Sequence, residues 1–226
     1  MKIISKTELA LWAASVAAIL ASLAVFGGGG FLTALASVIG VTSLMLNAKA
    51  NPAGQALMVV FSLLYGYISY GSRYYGEMMT YLGMTAPMAA AALVSWLRHP
   101  SSRGRSETAV GEVGGREAAF MLLLTFAVTA LFGYVLALLG TRYLPVSTLS
   151  VATSFAAVYL TARRSPFFAL VYAMNDVVLI VLWSLAAMDD RSCVSVVVCF
   201  AAFLCGDVYG FLNWRRIKKR QSEEAA

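Results

Sequence analysis

The heptapeptide LNAKANP, Leu46–Pro52, returns as LTARRSP, Leu160–Pro166, 114 positions later. Each copy reads leucine, polar residue, alanine, basic residue, any residue, small polar residue, proline. An apolar run precedes each copy and another follows at once. Proline is tolerated in the first turn of a helix because the N–H it lacks would have no intrahelical partner there. Each copy therefore predicts a tight reversal between two helices. The following helix pairs also close alike, with Trp96-Leu97-Arg98 in one and Trp214-Arg215-Arg216 in the other.

The apolar runs are long enough to cross a bilayer. Of 226 residues, 60% are hydrophobic and 12% charged, and mean hydropathy is +0.77. A hydrocarbon core about 30 Å thick takes roughly 20 apolar residues per helix. Eight such runs occur: Leu9–Phe26, Phe31–Asn47, Gly54–Tyr70, Gly76–Leu97, Ala118–Leu139, Ser147–Ala162, Pro166–Ala187 and Cys193–Asn213. The chain is read as an all-α integral membrane protein with about eight transmembrane helices. Lys2 and Lys6 before the first run give it the look of a secretory signal. Its apolar stretch exceeds the usual 7–15 residues, and no small-x-small cleavage site precedes the glycines, so a retained helix is expected.

The two heptapeptides fall at equivalent places in spans two–three–four and six–seven–eight. Three spans reverse the side of the chain, so two parallel copies need one crossing between them, and span five supplies it. This is a 3+1+3 parallel-repeat transporter plan. The expected divisions are an extra N-terminal helix (1–30), a first three-helix repeat (31–98), a cytoplasmic loop (99–117), a linker helix (118–146), a second repeat (147–214) and a basic cytoplasmic tail (215–226).

Charge sets the orientation. With the N-terminus inside, Lys2, Lys6, Lys49, Arg98, Arg103, Arg105, Arg116, Arg163, Arg164, Arg215, Arg216, Lys218, Lys219 and Arg220 all fall on the cytoplasmic side. Only Arg73, Arg142 and Arg191 fall outside. Such a bias places both termini in the cytoplasm. Anionic membrane lipids account for the net charge of +6, and no compact basic domain invites nucleic acid. Cys193, Cys199 and Cys205, six apart on one apolar helix, read as structural thiols. They form neither a metal box nor a disulfide set. The lone His99 opens a Ser-, Gly- and Arg-rich loop read as a flexible linker. No metal or cofactor is expected. An enzyme would need a nucleophile with its base or a metal set, which these residues do not offer; a non-transporting sensor is a further alternative.

Polar residues within the spans point to function. A carboxylate at the bilayer centre costs on the order of 2.5–3.5 kcal/mol, so it faces protein or a wet cavity. Asp176 in "NDVVLIVLW" is such a group. Tyr172, four before it, and Trp183, seven after, share its face, with Asn175 about 100° round. The string "GDVYGFLNW" in span eight repeats the Asp-to-Trp distance, Asp207 to Trp214. By default Trp214 is an interfacial anchor and Asp207 a helix-packing partner. Ser147, Ser150, Ser154 and Thr161 in span six, and Thr33, Ser37, Gly40 and Asn47 in span two, read as small-residue packing seams or a cavity lining. Tyr65, Tyr67, Tyr70, Tyr74 and Tyr75 read as an aromatic belt. Glu77 and Tyr81 point further in, and Pro87 breaks span four where only protein or a cavity can satisfy freed carbonyls.

Taken together, "YLTARRSPFFALVYAMNDVVLIVLW" (Tyr159–Trp183), "CFAAFLCGDVYGFLNWRR" (Cys199–Arg216) and "YGEMMTYLGMTAPM" (Tyr75–Met88) resemble the PnuC family of bacterial vitamin transporters, over roughly Phe31 to Arg220. The resemblance implies a SWEET-like seven-helix core, often trimeric, in the bacterial plasma membrane. It implies facilitated uptake of a small-molecule vitamin, nicotinamide riboside first, trapped by phosphorylation in the cytoplasm. Thiamine and riboflavin are the alternatives that relatives carry. The family's substrate-binding Asn corresponds to Asn175; the Trp that stacks on the ring four positions earlier is Val171 here. Asp207 and Tyr209 fall in the matching polar stretch of span eight, and Tyr81 near the polar position of span four. The expected substrate-binding set is Asn175, Asp176, Trp183, Tyr172, Asp207, Tyr209, Glu77 and Tyr81. Facilitation by alternating access is the leading mechanism; a proton-coupled version would use Asp176, Asp207 or Glu77.

Overall fold

A computed structural model describes residues 5–27, 30–71 and 75–225. Lys2, Arg73 and Tyr74 lie outside the described residues, as do the side chains of Tyr75 and Arg105. Span one is α1 (Lys6–Phe26), span two α2 (Phe31–Ala48) and span three α3 (Pro52–Gly71). Span four is broken into α4 (Tyr75–Thr80), a π-helical segment (Tyr81–Thr85) and α5 (Ala86–Arg98). Spans five to eight are α6 (Gly115–Leu138), α7 (Leu144–Ala162), α8 (Phe167–Ala187) and α9 (Val194–Ala225). Eight of these helical stretches are long and apolar enough to cross a membrane.

Pro87 explains the break in span four. It has no N–H to give, so the helical ladder slips from four to five residues, and the amide of Ala86 bonds the carbonyl of Tyr81. The hydroxyl of Thr85 donates to the carbonyl of Thr80 at 3.2 Å. Freed backbone groups are thus satisfied within the protein, as a hydrocarbon surrounding demands.

The heptapeptides adopt one backbone. Ala50 and Arg164, 114 positions apart, both take left-handed conformations with φ 55° and 58°. The amides of Asn51 and Ser165 reach back to the carbonyls of Leu46 and Leu160, each at 3.0 Å. Left-handed caps of this kind satisfy the last carbonyls of α2 and α7 and turn the chain into α3 and α8.

What lies against these caps is reciprocal. The indole of Trp96, at the end of α5, donates to the carbonyl of Thr161 in α7 at 2.8 Å. The indole of Trp214, in α9, donates to the carbonyl of Asn47 in α2 at 2.7 Å. Each tryptophan's predecessor adds a second bond: Ser95 Oγ to the carbonyl of Ala162 at 2.7 Å, and Asn213 Nδ2 to the carbonyl of Ala48 at 2.8 Å. The two rings lie 5.3 Å apart and are fully buried. Trp214 is therefore a core residue that closes a helix end, in contrast to the interfacial anchor its position beside Arg215 suggested.

The caps, the start of α1, the end of α9 and most of the basic residues share one end, the basic face. There the loop after α5 is ordered. It forms a short hairpin, β1 (Pro100–Ser101) with β2 (Gly104–Thr108). Beyond Asn213, α9 continues without a break to Ala225. The flexible linker expected from Ser and Gly content is thus a structured segment, because its amides find partners on the two caps.

Elsewhere, small residues set the helix spacing. A Cβ on Gly40 of α2 would meet the ring of Phe203 in α9 at 2.9 Å and that of Phe61 in α3 at 3.2 Å. A Cβ on Gly54 of α3 would meet the backbone nitrogen of Asn47 at 2.7 Å. Asn47 itself accepts from Gln55 Nε2 at 2.9 Å, so it belongs to the α2–α3 seam. Helix α6 packs on α7 and turns Phe120, Leu123, Phe126 and Leu138 outward. Of the three free cysteines, Cys193 is buried, Cys199 half-buried and Cys205 exposed on the apolar surface, so only part of the set is structural packing.

Helix α1 docks through Glu8. A capping box joins Glu8 to Ser5, Lys49 Nζ approaches the carboxylate at 3.0 Å, and the hydroxyl of Tyr209 donates to it at 2.9 Å. Replacing Gly54 with alanine is expected to cost about 1–3 kcal/mol through overpacking against Asn47. A lowered midpoint of heat-induced loss of the monodisperse peak in detergent gel filtration checks this.

Candidate functional site

Asn175 and Asp176 sit on α8 where it is covered by α7 and α9, and both are almost fully buried. The hydroxyls of Thr153 and Ser154, on α7, lie 2.7 and 3.1 Å from Asn175 Oδ1. The carbonyl side of the amide is thereby fixed, leaving its NH2 group for the interior. Asp176 and Asp207 of α9 border the same chamber. Asp176 Oδ2 is buried without a partner of its own.

These groups line a mid-membrane cavity of about 60 Å³, together with Tyr172, Glu77 and Tyr81. An aromatic wall closes one side. Phe61 and Tyr81 meet edge to face at 5.8 Å, Tyr65 and Tyr81 lie 4.5 Å apart, and Phe200 and Phe203 meet at 5.8 Å. The π-helical segment delivers Tyr81 and Thr85 to this wall, so the backbone irregularity lies where the chain lines the cavity.

A second cavity of about 300 Å³ opens at the end away from the basic face, bounded by Leu136, Leu139, Tyr143, Asp189 and Asp190. Glu77, Thr80 and Ser150 border both cavities. They stand between an outer vestibule and the polar chamber. At the mouth, the N–H and hydroxyl of Ser192 hold the Asp190 carboxyl below the usual carboxylate range.

Six of the eight residues expected from sequence converge on the chamber: Asn175, Asp176, Tyr172, Asp207, Glu77 and Tyr81. Two do not. Trp183 lines the vestibule, because seven residues along a helix is about 10 Å of rise. Tyr209 turns to Glu8 of α1, two positions round α9 from Asp207 and hence on another face. Val171 packs against the tryptophan cluster at the basic face and does not border the chamber. Sequence reasoning passed over Thr153, Thr80 and the phenylalanines Phe61, Phe200 and Phe203. Hydroxyls and phenyl rings are common in every span, and only convergence distinguishes these.

A chamber with acids and an amide at mid-bilayer, a vestibule on one side and tight packing on the other, defines a solute transporter of the membrane. Comparison with known proteins gives its kind. The family model described as nicotinamide mononucleotide transporter matches residues 30–216, and the chain belongs to that family. It is similar to a nicotinamide riboside transporter PnuC of Neisseria mucosa, 26% identical over 94% of this chain and 82% of the relative. A nicotinamide riboside transporter PnuC of Haemophilus influenzae is 22% identical over 84% of this chain and 81% of that protein. In fold it matches a crystal structure of the vitamin B3 transporter PnuC, with TM-score 0.81 over 96% of this chain and 94% of the other, at 21% identity. The family is one of transporters, not enzymes.

A cysteine at Ser150, in a background with the three native cysteines replaced by alanine, is expected to react with a small water-soluble thiol reagent. One at Ser43, fully buried and bonded to the carbonyl of Gly54 at 2.8 Å, is expected to stay unmodified. Intact-protein mass spectrometry separates the two.

Proposed function

We propose that this protein takes up nicotinamide riboside, using the chamber around Asn175 and Asp176 as its binding site and Trp183 and Glu77 along the entry path. The facing carboxylates of Asp176 and Asp207 within an aromatic enclosure carry this reading. The pyridinium of nicotinamide riboside is a permanent cation, which ring faces attract through their quadrupole and carboxylates through charge. The carboxamide of the same ring takes a hydrogen-bond donor, and this role is assigned to the NH2 group of Asn175, whose Oδ1 is occupied by Thr153 and Ser154. A phosphate has the wrong sign for two carboxylates, so the riboside is favoured over its mononucleotide by repulsion as well as attraction.

The chamber, at about 60 Å³, is well below the roughly 300–1,000 Å³ of pockets that hold drug-sized ligands. Binding therefore requires it to widen. Alternating access does this when two three-helix units, 31–98 and 147–214, rock about the site. The basic face is assigned to the cytoplasm on the bias of lysine and arginine. Phosphorylation of the vitamin there makes uptake one-way. Anionic lipids cover the basic rim, and the apolar outer side chains of α6 offer surface for a homotrimer. Thiamine, another flat cation, is the second reading that the acid pair supports.

Calorimetry on the detergent-purified protein with nicotinamide riboside, nicotinamide mononucleotide, thiamine and riboflavin tests the proposal. Binding of the riboside in preference to the other three is expected. Thiamine or riboflavin as the tighter ligand would overturn the assignment. Asp176→Asn is expected to weaken riboside binding about tenfold or more, corresponding to about 1.4 kcal/mol. Thr153→Val, which removes one of the two hydroxyls holding Asn175 Oδ1, is expected to weaken it about fivefold, as for one lost hydrogen bond of about 1 kcal/mol. Tyr209→Phe is expected to leave affinity unchanged, since its hydroxyl serves α1.

A further inference from the structure

The ordered segment 99–114 has no part in the chamber, yet it makes a specific set of bonds at the basic face. The amide of Thr108 donates to the carbonyl of Ala50 at 2.8 Å, and the amide of Gly111 to the carbonyl of Arg164 at 2.9 Å. Those two carbonyls belong to the two left-handed caps, one on α2 and one on α7. The segment thus spans from one cap to its counterpart. These are the same two helices whose last carbonyls take the indoles of Trp214 and Trp96. Thr108 is fully buried, and its hydroxyl lies 3.0 Å from the carbonyl of His99.

The segment is held in turn by the extension of α9 beyond Asn213. Gln221 Oε1 accepts from the amide of Val110 at 2.8 Å. Gln221 Nε2 donates to Glu107 Oε1 at 2.8 Å and to the carbonyl of Thr108 at 3.2 Å. Ion pairs flank it: Arg220 with Glu107, Lys218 with Glu112 at 2.7 Å, and Arg103 with Glu224 at 3.0 Å. Gly111 has its own constraint, because a Cβ there would collide with the carbonyl of Arg163.

Leu44 of α2 and Val158 of α7 border the chamber one turn before the carbonyls of Asn47 and Thr161 that take the indoles, so the two caps stand at its basic end. Opening that end separates the two caps. We infer that Gln221 and Gly111 are positioning residues of the transport step, which hold segment 99–114 as a strap across the two caps and keep the basic end of the path closed. The strap rests on the alternating-access reading above, but it concerns the closing of one end and does not depend on which solute is carried. Neither residue touches the chamber, so loosening the strap changes the balance between closed and open ends without altering the binding groups.

The test places a reporter thiol just inside the closed end. Val158 borders the chamber, is almost fully buried, and lies one turn before Thr161. Val158→Cys, with the native cysteines replaced by alanine, is reconstituted in vesicles and exposed to a small cationic methanethiosulfonate from either face. Gln221→Ala and Gly111→Ala are each expected to raise the labelling rate from the basic face about five- to thirtyfold, as for a loss of one or two hydrogen bonds. Labelling from the opposite face is expected to become no faster, and the dissociation constant for nicotinamide riboside to stay within about twofold, the difference a chamber variant would exceed. Unchanged labelling from the basic face in both variants overturns the strap. Should either variant fail to fold, the reporter protein itself at about 1 M salt replaces it, since screening weakens the three flanking ion pairs; no rise in labelling there also overturns the proposal. Faster labelling in a protein that binds no riboside would keep the strap and remove the substrate assignment.

Discussion

Hydrocarbon offers no partner to a carbonyl, an amide or a carboxylate, and this constraint organises every feature of the molecule. A helix end left in lipid would carry up to four unsatisfied carbonyls. Here α2 and α7 end against protein, each closed by a left-handed cap, an indole N–H and one further side-chain donor. Because each indole comes from the last helix of the other half, satisfying one half's carbonyls requires the other half to be present. The same bonds that complete two helix ends therefore fix how the halves meet.

The constraint acts differently at the centre of the bilayer. Asn175 has its carbonyl oxygen satisfied by α7, whereas Asp176 keeps a buried oxygen without a partner. A protein that satisfies its helix ends so completely has the means to satisfy a carboxylate. Burying two acids that face one another among aromatic rings is costly. Costs of this kind cluster at functional sites. The π-helical segment contributes in the same way: the slipped ladder before Pro87 would be expensive against lipid, and against the chamber it supplies Tyr81 and Thr85.

The sequence carried the span number, the repeat and the central acid, each through a strong local signal. Length of apolar runs counts helices, and a proline after a basic residue marks the reversals. An aspartate amid valines and leucines has few readings. It carried less wherever the outcome depended on height along a helix. Angle around the axis groups Trp183 with Asp176, and the family resemblance adds Tyr209 to Asp207, yet Trp183 sits about two turns higher and Tyr209 faces α1. Trp214 beside two arginines has the local signature of an interfacial anchor, and only the carbonyl of Asn47, far off in the chain, makes it a core residue. Segment 99–114 looked like a linker because serine, glycine and arginine are loop residues. Composition is blind to amides that bond distant carbonyls.

These observations bear on how such a protein can change shape. The end with the vestibule is open, and among the described residues Glu77, Thr80 and Ser150 border both cavities. The basic end is crossed by paired indoles, matched caps and the segment that joins them. The conformation seen here is therefore closed more firmly at the basic end than at the vestibule. The asymmetry does not arise in the repeated halves, whose caps and tryptophans are reciprocal. It arises in what the repeat does not contain: a connecting segment between the halves and an α9 extended past its span. Parts outside the repeat thus make the two ends of the molecule unequal, which two halves with reciprocal caps and tryptophans do not do by themselves.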